Sequence, residues 1–153
     1  MLWATLIVVA LDQLSKVLVV HVLNLKNIGS IDVLPPILNF RMAWNRGVNF
    51  GLFSSNADAA RWILIGLAII IAGWVAYWVY REKLGKIAQI SAGLLIGGAI
   101  GNVIDRLIYG AVADFLNMSC CGFNNPFAFN VADLAIFAGA FGLIFFTGNK
   151  KPA

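Results

Sequence analysis

Residues Gly93 to Arg106 read GLLIGGAIGNVIDR. Gly93, Gly97 and Gly101 recur every four residues and therefore share one face of a helix. Small residues at this spacing let helices approach closely in lipid. The surrounding apolar run, residues 87–104, is long enough to span ~30 Å of hydrocarbon. The stretch therefore predicts a membrane helix that packs tightly against its neighbours.

The composition of the whole chain agrees with a lipid environment. Of its 153 residues, 61% are hydrophobic and 12% are charged, whereas a soluble domain is about 25% charged. Three further apolar runs, residues 2–22, 62–80 and 131–147, have spanning length. At this chain length we expect one domain, 1–153. The sequence thus predicts a membrane all-α bundle of four transmembrane helices.

Cations beside the apolar runs predict the orientation. The short link Arg81–Lys86 and the tail residues Lys150 and Lys151 are rich in positive charge, which favours the cytoplasmic side. Both termini would then be cytoplasmic, and the long connections, residues 23–61 and 105–130, would face outward. The net charge of +4 is modest and clustered beside the spans, so it indicates topology and not a nucleic-acid partner.

The first outer loop has strand character. Apolar residues alternate with mostly polar ones over residues 38–45, which predicts a half-buried strand. Pro35-Pro36 breaks structure before it, and Ser54, Ser55, Asn56 and Asp58 offer caps for the following helix. We expect a small extramembrane β-sheet subdomain from this loop, over residues 24–60.

Charged side chains near membrane depth are expensive and tend to face the bundle interior. Asp12 and Lys16 are four residues apart on the first helix, so they can pair and fix its rotation. At the end of the third helix, Asn102, Asp105 and Arg106 are spaced to crowd one side.

Asp114 and Asp133 flank the second outer connection, so the two ends of that connection can meet at the outer interface. Two close carboxylates in a poor dielectric cannot both ionise, and such a pair can hold a water between a base and an acid. That arrangement hydrolyses an amide without a metal or another cofactor. The competing interpretation is that Asp133, just after Asn130, merely caps a helix.

Three other functions compete with this one. A thiol–imidazole nucleophile could combine His21 with Cys120 or Cys121. A small proton-coupled transporter could use buried acids such as Asp12 and Asp105 as a relay, although the inverted repeats expected of a transporter are not visible in the sequence. A non-catalytic membrane scaffold would need no carboxylate pair.

Five segments, taken in order, resemble the lipoprotein signal peptidase (signal peptidase II) family. These segments are Asp12-Gln13-Leu14-Ser15-Lys16, residues 45–51 (NRGVNFG), residues 97–107 (GGAIGNVIDRL), Val112-Ala113-Asp114-Phe115 and Phe129-Asn130-Val131-Ala132-Asp133. The combination is specific, whereas any one segment alone is weak.

The resemblance implies an aspartyl endopeptidase of the bacterial inner membrane with its site near the periplasmic face. It would remove signal peptides from prolipoproteins by cutting just before a diacylglyceryl-modified cysteine, among membrane lipids and without an obligate protein partner. Asp114 and Asp133 match the catalytic pair, and Asp12 and Lys16 match motif positions of unassigned role. The polar residues matching those around the site are Asn45, Asn102, Asp105, Arg106 and Asn130.

Overall fold

A central helix organises the bundle. This computed structural model describes residues 1–35, 37–47, 57–119 and 125–147. Helix α4 (Lys86–Tyr109) contacts α1 (Leu2–Lys16), α3 (Ala57–Arg81) and α5 (Val131–Thr147). Helix α1 continues as π-helical turns over Val17–Val22 and is followed by the short α2, Leu25–Ile28. Helix α3 makes its extensive contacts with α4, so it stands to one side of the other three.

The surface of these helices is apolar. Ile70 on α3 and Ile144 on α5 are 69% and 68% exposed, as expected of side chains that face lipid. Among the described helices, the spans Leu2–Val22, Asp58–Arg81 and Lys86–Tyr109 are long and apolar enough to cross a membrane, and α5 is a shorter apolar helix of 17 residues. The structure therefore supports a multi-pass membrane protein with several apolar helices, and the fourth span stays a prediction.

The glycines of α4 make the close approach predicted from their spacing. They face α1, where a Cβ added to Gly97 would lie 2.8 Å from the Val8 Cβ. A Cβ added to Gly101 would lie 2.6 Å from Asp12 Oδ2. A larger residue at Gly101 would therefore displace a buried carboxylate.

A three-stranded antiparallel sheet lies at one end of the bundle, hereafter the sheet end. Its order is β1 (Ser30–Leu34), β2 (Leu38–Asn45) and β3 (Val112–Met118). The predicted strand over residues 38–45 is confirmed. Prediction of the sheet from the first outer loop alone was incomplete, because β3 comes from the second connection.

The sheet is anchored to the bundle by a small apolar cluster. Phe115 of β3 packs with Val19 and Leu25, and with the partly buried Phe40 and Met42 of β2. Phe40 and Phe115 meet edge to face, with ring centroids 5.8 Å apart. This packing holds β3 against the end of α1, which fixes where β3 presents its polar side chains.

Several predictions fall outside the described residues. These are the caps at Ser54, Ser55 and Asn56, the cysteines Cys120 and Cys121, and the tail lysines Lys150 and Lys151.

Candidate active site

Asp114 lies in the buried part of β3, opposite Ala43 of β2. Only 3% of the residue is exposed. Its two carboxylate oxygens accept from two side-chain amides: Asn45 Nδ2 lies 3.0 Å from Oδ2, and Asn130 Nδ2 lies 2.6 Å from Oδ1. Both donors are neutral, so they hold the carboxyl group in place without requiring it to be charged.

Burial, and after it the negative charge of nearby Asp133, raise the pKa of the Asp114 carboxyl from its ordinary 3.8 to about 6. The hydrogen bonds from Asn45 and Asn130 oppose this rise. A carboxyl whose pKa lies near neutrality can both hold and release a proton under ordinary conditions.

Asp133 stands in the first turn of α5 and forms a reciprocal cap with Asn130. The Asp133 backbone N–H donates to Asn130 Oδ1 at 2.9 Å, and the Asn130 backbone N–H donates to Asp133 Oδ2 at 3.2 Å. This is the geometry of a capping box, which satisfies otherwise unpaired donors at a helix start. The capping role expected for Asp133 is therefore real, but it occupies only one of its two carboxylate oxygens.

The second oxygen of Asp133 connects it to Asp114 through amides. Asn102 Nδ2 donates to Asp133 Oδ1 at 2.9 Å, and Asn130 Nδ2 lies 3.3 Å from Asn102 Oδ1. Because Asn130 also donates to Asp114, an unbroken hydrogen-bonded path joins the two carboxylates. The structure thus brings together Asn45, Asn102, Asp114, Asn130 and Asp133. We call this group the amide-held dyad.

Arg106 lies beside this group on α4. Its Nη1 donates to the Asn102 backbone oxygen at 3.3 Å. Arg106 and Asn102 also line a cavity of about 230 Å³ whose other walls are apolar. These walls come from Leu64, Leu67, Ala68, Ile71, Leu95, Ala99 and Ile136. The cavity therefore lies between α3, α4 and α5 and has its polar groups next to Asp133.

Asp105 lies apart from the dyad, in a second group with Asp12 and Lys16. Lys16 Nζ is 2.7 Å from Asp12 Oδ2 and 2.7 Å from Asp105 Oδ2. Both aspartates are completely buried, and Lys16 is 3% exposed. The predicted Asp12–Lys16 pair is present, and Asp105 is a third member that sequence reasoning did not connect to it. We call these three residues the ion-pair cluster.

Gln13 bridges the two acids of this cluster, although its place in the motif carried no assigned role. Its Nε2 donates to Asp12 Oδ2 at 3.1 Å and to Asp105 Oδ1 at 3.0 Å. Its position directly after Asp12 was the available signal, but adjacent helical residues point about 100° apart. Sequence spacing therefore gave no reason to place it between the two acids.

The cysteines of the alternative nucleophile, Cys120 and Cys121, lie outside the described residues, so the structure places only its histidine. His21 Nε2 lies 3.0 Å from the Tyr109 hydroxyl at the sheet end. Within residues 1–35, 37–47, 57–119 and 125–147, no group of three or more His, Cys, Asp and Glu side chains is placed to hold a metal ion.

The fold and site together define a multi-pass membrane protein with paired carboxylates at the sheet end. A family model described as signal peptidase (SPase) II matches residues 4–148. The chain therefore belongs to the signal peptidase II family, whose members are peptidases.

Individual relatives agree with this membership. A lipoprotein signal peptidase of Rhodopseudomonas palustris is 37% identical over 153 residues, covering 98% of this chain and 92% of the relative. Another, from Methylobacterium sp. (strain 4-46), is 41% identical over 112 residues, covering 73% of this chain and 67% of the relative. A solved bacterial membrane enzyme superposes with a TM-score of 0.81 at 28% identity, covering 97% of this chain and 92% of that one.

Proposed function

We propose that this peptidase removes signal peptides from lipid-modified prolipoproteins, cutting just before the lipidated cysteine, with Asp114 and Asp133 as its catalytic pair. The observation that carries the proposal is the hydrogen-bonded path from Asp114 through Asn130 and Asn102 to Asp133. The names of the relatives, lipoprotein signal peptidases, supply the substrate class. The same membership favours a peptidase over the transporter and the scaffold.

The chemistry assigned to the pair is a direct attack by water. One carboxylate takes a proton from the water as its oxygen adds to the scissile carbonyl carbon, and the other carboxyl gives a proton to the amide nitrogen as the C–N bond breaks. Asp114 suits the proton-holding role, because its pKa is raised to about 6. We assign to Arg106, whose Nη1 donates to the Asn102 backbone oxygen, the stabilisation of the negative charge that develops on the carbonyl oxygen.

Access from the bilayer is consistent with the shape of the bundle. The substrate is itself an apolar membrane segment, and the 230 Å³ cavity between α3, α4 and α5 offers apolar walls that end at Asn102 and Arg106. We propose that the segment enters there laterally, so that its lipid chains remain among membrane lipids. The sheet would then lie over the scissile bond.

The proposed location is the bacterial inner membrane, with both termini cytoplasmic and the sheet end at the periplasmic face. The cations of Arg81–Lys86, at the turn between α3 and α4, support this orientation. A cysteine probe placed at Gly85 should resist a membrane-impermeant reagent in intact cells. Labelling of that probe from outside would show that the orientation is the opposite of the one proposed.

The test of function is single-turnover cleavage of a precursor peptide carrying a diacylglyceryl-modified cysteine, in detergent or lipid. Mass spectrometry should locate the new N-terminus at that cysteine. The matched peptide with an unmodified cysteine should remain uncut. Cleavage elsewhere, or equal cleavage of the unmodified peptide, would refute the proposed specificity.

Two controls separate the proposed chemistry from its rivals. A metal chelator should leave the rate unchanged, and loss of activity that zinc restores would overturn the aspartyl mechanism.

The double variant Cys120→Ser with Cys121→Ser should retain turnover. A folded but inactive double variant would revive the thiol nucleophile.

A further inference from the structure

Each proposed catalytic aspartate directly follows a residue whose backbone N–H is held by a buried carboxylate. The Ala113 N–H, just before Asp114, donates to Asp105 Oδ2 at 3.0 Å. The Ala132 N–H, just before Asp133, donates to Asp12 Oδ1 at 2.9 Å. The two acids of the ion-pair cluster therefore each fix one end of the second connection at the position next to the dyad.

The two carboxylates are themselves joined. Lys16 Nζ is 2.7 Å from an oxygen of each, and Gln13 Nε2 donates to both, at 3.1 and 3.0 Å. Lys16 and both acids are buried, where charge-assisted hydrogen bonds are strong and solvent does not compete. The span from Ala113 to Ala132 is thus bridged by a stiff unit and not by one flexible side chain.

The hydrogen bond from the Ala132 N–H to Asp12 also follows from the position of Ala132 in its helix. Ala132 lies in the first turn of α5, where backbone N–H groups have no intrahelical acceptor. A carboxylate at a helix start is favoured by the helix dipole. Asp12 supplies that acceptor from α1, and Gly101 of α4 leaves room for it, since a Cβ there would lie 2.6 Å from Asp12 Oδ2.

We propose that Asp12, Lys16 and Asp105 are positioning residues that set the separation of Asp114 and Asp133 by holding the backbone on the N-terminal side of each. This rests on the proposed function, because it takes those two aspartates as the reacting pair. The amide-held dyad joins them through side chains, and the ion-pair cluster joins them through the backbone. Because Asp114 and Asp133 are connected both through side chains and through the backbone, neither carboxylate can move away from the other without breaking a buried contact.

The decisive experiment compares three replacements of Asp105 in the full-length enzyme. Asp105→Asn keeps an oxygen that can accept the Ala113 N–H but removes the charge. Asp105→Glu keeps the charge but lengthens the side chain by one methylene, and Asp105→Leu removes the acceptor altogether. For each variant, kcat and KM are measured on the lipid-modified precursor, with thermal unfolding followed in parallel.

The positioning role predicts that kcat depends mainly on an acceptor at the right distance from the Ala113 N–H, and less on the charge that pairs with Lys16. Since a displacement of ~1 Å at a reacting group can cost about 100-fold in rate, Asp105→Leu and Asp105→Glu should lose roughly that much kcat with little change in KM. Asp105→Asn should recover most of the loss. If Asp105→Leu does not fold, the order of Asp105→Asn and Asp105→Glu still decides.

Thr5→Val provides the matched control. Thr5 Oγ1 donates to the Gly93 backbone oxygen at 3.2 Å, so this change also removes a buried polar contact between α1 and α4, but one without a link to the dyad. It should lower the melting temperature and leave kcat unchanged.

Two results would overturn the positioning role: a folded Asp105→Leu with wild-type kcat, or a higher kcat for Asp105→Glu than for Asp105→Asn. Assaying Asp114→Asn beside these variants separates the two proposals. If Asp114→Asn is inactive while Asp105→Leu is unimpaired, positioning fails and the dyad stands. If Asp114→Asn cleaves normally, the assignment of Asp114 and Asp133 as the catalytic pair fails, and the positioning proposal that rests on it fails too.

Discussion

The amide-held dyad and the ion-pair cluster are both built on two aspartates, but their partners differ. Asp114 and Asp133 accept from neutral asparagine amides and backbone, whereas Asp12 and Asp105 share the ammonium group of Lys16. A neutral donor orients a carboxyl group and leaves it free to change protonation. A buried cation forms charge-assisted hydrogen bonds that hold the two carboxylates in place. The difference supports the proposed division of roles, in which Asp114 and Asp133 react while Asp12 and Asp105 hold the backbone.

Removing proton transfer from the amide-held dyad should have the largest effect on activity. Asp114→Asn and Asp133→Asn should each lower single-turnover cleavage by at least ~10⁴-fold, and the double variant should be scarcely worse, because residues acting as a unit are non-additive. Both single variants should stay folded, since Asn keeps the shape of Asp and an oxygen that accepts hydrogen bonds, and at position 133 it can still take part in the cap of α5. Near wild-type cleavage by either one would show that Asp133 only caps or that Asp114 is only structural.

The ion-pair cluster should respond in stability. Lys16→Met leaves two buried carboxylates without their cation, and breaking a buried pair in this way costs about 3–5 kcal/mol. Chemical or thermal unfolding in detergent measures the loss. Lys26→Met, at an exposed lysine of α2, is the control and should change stability by less than about 0.5 kcal/mol. Equal stability of the two variants would show that the cluster does not stabilise the fold.

Asn130 belongs to the dyad and also caps α5, so two substitutions can separate its roles. Asn130→Ser keeps a capping oxygen but is too short to reach Asp114, whereas Asn130→Ala loses both functions. Both should lose activity to a similar degree, roughly 10²-fold if one positioning contact is removed. Asn130→Ala should be less stable than Asn130→Ser by about 1 kcal/mol. A higher rate for Asn130→Ser would mean that the cap alone matters for activity.

The smallest effect that we expect is a change in stability with pH. The folded pKa of Asp114, about 6, lies above its ordinary value of 3.8, so the folded state binds more protons between these values and the wild type loses stability as pH rises through them. Asp114→Asn lacks this titration. Its melting temperature relative to wild type should therefore increase from pH 4 to pH 7. A flat or falling difference would contradict a raised pKa.

The sequence predicted the helices better than the sheet. Long apolar runs specify membrane helices strongly, and the predicted run 131–147 has the bounds of α5. Strand β3 was missed because residues 112–115 are all buried, so they lack the alternation that revealed β2. The same strand carries Asp114, so spacing alone could place the two aspartates near one interface, whereas Asn45, Asn102 and Asn130 came only from the family resemblance.

The ion-pair cluster shows a second limit of sequence reasoning. Spacing on one helix was enough to pair Asp12 with Lys16, because residues four apart are neighbours. Asp105 lies 89 positions after Lys16, and its side chain reaches Lys16 only because α1 and α4 pack closely at Gly101. Contacts of this kind follow from tertiary packing, which no local pattern encodes.

The reciprocal cap between Asn130 and Asp133 has a consequence for how the molecule matures in the cell. The atoms that start α5 are also the atoms that hold the proposed dyad, so a chain whose last helix has not yet formed has no assembled site. On the proposed mechanism, a newly made or partly inserted copy would not cleave the membrane segments around it. On that mechanism, cleavage would begin only once α5 is in place.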